Sequence, residues 1–159
     1  VITDQFLKKS FPKWKAEGAF PQWIDGLNPD KIDIFQMEFA DIYMEVGNHY
    51  KNRRFSQYNT NYDWNQTMYY NFMGGGDACE WSEKMHTSLK KISDKAANFR
   101  SFTAPGSVHC ILPDKAFYTV QSNGVKLIDW INDMIEGKDV ADVHCKDCGK
   151  PQKACTSGK

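Results

Sequence analysis

The sequence predicts an α/β fold with a mostly parallel sheet, of which these 159 residues form the C-terminal part. Three observations carry that expectation. Short aromatic and β-branched runs alternate with longer amphipathic ones, the pattern of strand and helix units that builds a parallel sheet. A composition of 41% hydrophobic and 25% charged residues suits one packed domain. Two recognisable strands are too few for a parallel sheet covered on both faces, so the N-terminal half of the fold is expected outside this sequence. Residues 1–143 read as the C-terminal half of that domain, and residues 144–159 as a cysteine-rich tail.

The elements follow in order. "ITDQFLKKSFPKWKAEG" predicts a helix interrupted at Pro12 and ending at Gly18. "NPDKIDIFQMEFADIYMEVG" predicts a second, capped by Asp30, with Ile34, Met37, Phe39, Ile42, Tyr43 and Val46 on one face and Gly47 closing it. "RRFSQYN" is short and aromatic, hence a strand. "YDWNQTMYYNFM" predicts a short helix stopped by Gly74-Gly75-Gly76. "DACEWSEKMHTSLKKISDKA" spaces Trp81, Met85, Leu89 and Ile92 along one helical face. "NFRSFTA" is the second strand, stopped at Pro105-Gly106, and "SNGVKLIDWINDMIEG" is a last helix ending at Gly137.

Charge and hydropathy exclude some classes of function. The 20 basic and 20 acidic residues cancel, so no field for nucleic acid is indicated. No apolar run reaches the roughly 18 residues needed to cross a bilayer. The chain opens on "VITDQF", without methionine or signal peptide, and reads as an internal cut. Three of the five cysteines, Cys145, Cys148 and Cys155, lie in the last fifteen residues; the others are Cys79 and Cys110. Disulfides in an oxidising compartment account for them better than zinc, because a zinc site pairs two separated knuckles and only one C-x-x-C is present. A bond from the tail to Cys110 is one expected pairing, and the odd count leaves one cysteine over. Asn65-Gln66-Thr67 is a glycosylation sequon, compatible with secretion. No metal or cofactor motif is expected, and the three glycines lack the Lys-Ser/Thr of a phosphate loop.

The chemistry gathers at the two strand ends, where ligands collect in open α/β sheets. Asp63 follows the first strand by a few residues and His109 the second. A carboxylate accepting from one imidazole nitrogen fixes the tautomer and leaves the other nitrogen as a general base. Each residue alone has a plainer reading: Asp63 as a helix cap, His109 as a loop histidine. The Asp…His order suits a Ser…Asp…His triad of the α/β-hydrolase type. No G-x-S-x-G occurs, Ser56 sits in a strand, and Ser107 is only two residues from His109, so the nucleophile is expected upstream of Val1. The aromatic set Tyr58, Tyr62, Trp64, Tyr69, Tyr70 and Phe72 is expected mainly as core, with lining of an acyl or sugar site as the other reading. His49 and His86 are expected as ordinary surface residues.

The segments "FPKWKAEGAFPQWIDGL", "RRFSQYNTNYDWNQTMYYNFMGG", "NFRSFTAPGSVHCIL", "GVKLIDWINDMIEG" and the "CKDC" tail resemble the pectin acetylesterase/Notum family over nearly the whole chain. That resemblance implies a secreted serine carboxylesterase with an α/β-hydrolase-like fold. The D-x-x-Q at Asp63 and Gln66 then implies the triad acid, and the P-G-x-x-H turn implies His109 as the base. The family's serine elbow and oxyanion-hole amides have no counterpart in these residues. The expected partners are an N-terminal chain or segment bearing the serine and an ester substrate such as an acetylated polysaccharide. The alternative is a secreted, non-catalytic module that has lost the nucleophile.

Overall fold

In a computed structural model, which describes residues 4–153 and 155, the strands β1 (Phe55–Thr60) and β2 (Phe99–Ala104) pair in parallel, Phe55 opposite Phe99 and Thr60 opposite Ala104. Parallel partners need a crossover, and two helices supply it: α3 (Trp64–Phe72) and α4 (Ala78–Lys95). Asp63 and Asp77 cap them, each accepting backbone N–H groups two and three residues on. Val143, just before the tail, adds a single parallel bridge on the other side of β2, opposite Phe102. Val143 donates to the Ser101 carbonyl at 2.9 Å and accepts from the Thr103 N–H at 2.7 Å. The result is a mixed α/β fold with a small two-stranded parallel sheet and, among the described residues, five α-helices.

Alternation along β2 splits the core in two. Phe99 joins Trp81, Met85, Leu89 and Ile92 of α4 and Ala40 of α2 (Phe39–His49) in one cluster. Phe102 and Ala104 meet Leu127 and Trp130 of α5 (Leu127–Ile135), with Ile111 and Val143, in the other. Phe102 and Trp130 stack edge to face at 5.5 Å, and Arg54 closes the C-terminal end of α5 by donating to the Gly137 carbonyl at 2.6 Å and to Lys138.

Several expectations are corrected. The helix expected from Asp30 begins at Phe39, because Asp33 accepts from the Phe35 N–H at 3.0 Å and winds Ile34–Gln36 into a separate 3₁₀ turn that buries Ile34. Gly47 lies inside α2 rather than closing it: a Cβ there would stand 3.1 Å from that of Ala96, so the glycine admits close helix approach. The end falls at His49, where the Asn98 side-chain amide donates to the carbonyls of Gly47, Tyr50 and Arg53. α1 (Asp4–Trp14) runs through Pro12, and Lys15 at φ 50° then turns it into a 3₁₀ turn at Ala16–Ala19; Ile2 and Thr3 of the expected helix lie outside the described residues. The helix expected from Ser122 starts at Leu127. Asn123-Gly124, both at positive φ, make a tight hairpin between β3 (Gln121–Ser122) and β4 (Val125–Lys126) before it. Gly74-Gly75-Gly76 do end α3, and a side chain at Gly75 would collide with the Tyr70 ring.

Candidate active site

The hydrogen-bond ladder between β1 and β2 does not stop at the strand ends. Asn61 donates to the Ala104 carbonyl at 2.8 Å, Tyr62 to Gly106 at 2.9 Å and Trp64 to Ser107 at 3.1 Å. This continuation zips the two post-strand loops together. Gly106, at φ 96°, permits the Pro-Gly bend, and the Thr60 hydroxyl donates to the Val108 carbonyl at 2.8 Å. Asp63 and His109, 46 residues apart, thereby meet: His109 Nδ1 lies 2.8 Å from Asp63 Oδ2 and 3.0 Å from Oδ1.

The carboxylate is both helix cap and histidine partner. Oδ1 accepts from the Asn65 N–H at 3.1 Å and the Gln66 N–H at 2.9 Å, and the Gln66 amide donates to Oδ2 at 3.3 Å. These donors, at a helix N-terminus, satisfy a side chain that is only 5% exposed. The His109 side chain is 31% exposed, and its Nε2 makes no hydrogen bond among the described residues. A buried carboxylate and a partly exposed imidazole are thus joined through Nδ1, the arrangement that a proton-transfer pair requires. Trp64 meets the imidazole edge to face at 6.5 Å. Beneath the site, burial and the carboxylates of Asp63 and Asp114 push the Tyr58 phenol up to about 12, so it stays protonated.

A groove of about 460 Å³ is lined by Tyr62, Trp64, Met68, Asn71 and Phe72 with Gln152 of the tail. Neither Asp63 nor His109 lines it, and Trp64 is the residue it shares with the histidine's surroundings. Here the aromatic set is corrected. Tyr70 is core, but Trp64, Tyr69 and Phe72 are 46%, 55% and 74% exposed, because α3 packs one narrow face on α4 and leaves the rest outside. Asn65, the sequon residue, is half-buried in the first turn of α3.

The cysteines are also placed. Cys145 bonds to Cys148 and Cys79 to Cys155, so the tail is tied to α4 and not to Cys110, which is exposed, unpaired among the described residues and held at φ 55° beside His109. Pairing uses the sulfurs that zinc would need. Asp77, Cys79 and Cys155 are grouped closely enough for a metal, but two of their three ligand atoms are joined in the disulfide. Ala154 and residues 156–159 of the expected tail lie outside the described residues.

His86 is not the surface residue expected. It is half-buried, donates from Nε2 to Asn61 Oδ1 at 2.6 Å and lies against His144 of the tail, ring centres 6.0 Å apart. Nothing local in "KMHTS" signals this: the Asn61 contact comes from the loop after β1, and the His144 contact from the tail's return along β2. Ser101, Asp142 and His144 form no second triad. Ser101 is fully buried, and Asp142 accepts from Ser101 at 3.1 Å rather than from the histidine. Burial first, then the His144 charge, hold the His86 pKa below its ordinary 6.5. The unfolded chain therefore takes up that proton more readily than the folded one, and the His86 contribution to stability is lost as pH falls below 6.5. We expect His86→Gln to flatten the decline in urea-midpoint stability between pH 7 and about 5; an unaltered slope would place the titration elsewhere.

No helix of the described residues is long and apolar enough to cross a membrane. Compared with protein-family models, curated proteins and solved structures, the chain matches none.

Proposed function

We propose that this chain supplies the acid and the base of a Ser-His-Asp triad to a secreted carboxylesterase, with the serine carried on a segment or chain outside this sequence. One observation carries the reading: a buried carboxylate on Nδ1 of a partly exposed histidine whose Nε2 makes no hydrogen bond among the described residues. In the reaction Nε2 takes the serine hydroxyl proton as Oγ bonds to the ester carbonyl. Asp63 stabilises the imidazolium, and Nε2 returns the proton to the departing alcohol oxygen as the C–O bond breaks. Water then repeats the sequence on the acyl-enzyme and releases the acid. The resemblance to the pectin acetylesterase/Notum family supports the serine class. Two disulfides suit an oxidising compartment. The aromatic groove suits the apolar face of a sugar ring or an acyl chain, consistent with an acetylated polysaccharide or a related ester as substrate.

The second reading is a non-catalytic module, favoured by the lack of any serine hydroxyl bonded to His109 Nε2 among the described residues. Labelling the native preparation with a fluorophosphonate separates the two. Label on a distinct chain or segment that stays with this one supports the triad. Label on Ser107 would overturn the proposed origin of the nucleophile, and no label in a folded preparation would leave the non-catalytic module.

A further inference from the structure

We infer that Cys145–Cys148 is an exchangeable disulfide that clamps the His109 loop, and that a dithiol reductant opens it. The pair closes on itself within a C-x-x-C run, so it ties no distant elements together; it shapes a single turn of the tail. That turn carries the clamp. The Cys148 carbonyl accepts from the Gly106 N–H at 3.2 Å, and the Gln152 amide donates to the Ser107 hydroxyl at 3.3 Å. These residues are the first half of the loop that ends in His109.

The two sulfurs have different surroundings. Cys145 is held on the sheet side, its N–H donating to Thr103 Oγ1 at 3.1 Å and its sulfur 3.8 Å from Asn61 Oδ1. Cys148 borders an open cavity of about 500 Å³, shared with Lys146, Glu83 and His86. Cys148 borders that cavity and Cys145 does not, so an external thiolate reaches Cys148 first.

The exchange balances without a further reagent. One thiolate of the dithiol bonds to Cys148 Sγ; the Cys145–Cys148 bond breaks, and its electron pair leaves on Cys145 Sγ, which takes a proton. The second thiol of the reductant then attacks its own sulfur in the mixed disulfide and frees Cys148 as a thiol. Two electrons and two protons pass to the protein, and the reductant departs as a cyclic disulfide. Val143 keeps its rung on β2. Cys79 borders the same cavity as Cys148, so the change is confined to residues 146–153 and the loop they clamp only while Cys79–Cys155 stays closed. Labelling of Cys79 and Cys155 together with Cys145 and Cys148 would overturn the inference.

Dithiothreitol is the probe. The native protein is titrated with it, alkylated, and mapped by mass spectrometry, with amide hydrogen exchange read on the same samples. We expect Cys145 and Cys148 to label while near-UV circular dichroism is unchanged. Exchange across residues 105–109 should rise about fivefold, the effect of losing one loop hydrogen bond. The double variant Cys145→Ser/Cys148→Ser, with Cys79–Cys155 intact, should show the same faster exchange without reductant. Resistance of the pair until the near-UV signal collapses would overturn the inference, as would labelling or substitution with no change at 105–109. Ester hydrolysis is not read, so the outcome is independent of the catalytic proposal.

Discussion

On the proposed triad, replacing His109 by alanine in the native preparation should lower ester turnover by about 10⁶-fold, because the members of a triad act as a unit and loss of the base abolishes both proton transfers. The fold should survive. Asp63 keeps its three other donors, the Asn65 and Gln66 N–H groups and the Gln66 amide, so one lost hydrogen bond costs about 1 kcal/mol. The check is turnover on an aryl acetate set beside a urea melt of the same preparation. Turnover within tenfold of the unsubstituted protein would remove His109 from the mechanism.

Asp63→Asn is the more discriminating change, because Asp63 holds two jobs through one carboxylate. Asparagine is as good a helix cap as aspartate, so its side-chain oxygen can still accept from the Asn65 and Gln66 N–H groups, and stability should change by less than about 1 kcal/mol. What remains toward His109 is an NH₂ donor. Nδ1 must then accept, the ring proton moves to Nε2, and the nitrogen that should act as base is occupied. Turnover should fall on the order of 10⁴-fold. Asp63→Ala, by contrast, should lose the cap as well and cost about 1–2 kcal/mol of stability. If Asn and Ala were equally destabilising and equally active, Asp63 would be a cap and nothing more.

That double role explains why sequence alone leaves Asp63 between two readings. Helix capping and hydrogen bonding to a distant histidine use different lone pairs of one carboxylate, and only the parallel register of β1 and β2 brings the second partner in. The parallel arrangement is legible in two short aromatic strands separated by helices, each followed by a loop that carries Asp63 or His109; the register, Phe55 opposite Phe99, is not. Other features are less so. The start of α2 at Phe39 depends on Asp33 competing for a backbone N–H, a local choice that a hydrophobic stripe conceals. The Asn123-Gly124 hairpin is signalled by its dipeptide, but the apolar period of α5 overrides it when the segment is read as one helix. His86, His144 and the cysteine pairing depend on where the tail returns, which is a tertiary matter. The exposure of Trp64, Tyr69 and Phe72 has the same origin, since helical periodicity does not say which face of α3 meets α4.

The central claim is that Asp63 holds the proton of His109 on Nδ1 and leaves Nε2 as the base. Nitrogen-15 NMR of histidine-labelled protein at a pH where the ring is neutral reads this directly and needs no substrate or partner chain. The expected result is a protonated Nδ1, its proton shifted far downfield by the carboxylate, and an unprotonated Nε2, with the downfield proton absent in Asp63→Asn. A neutral ring protonated on Nε2 would contradict it.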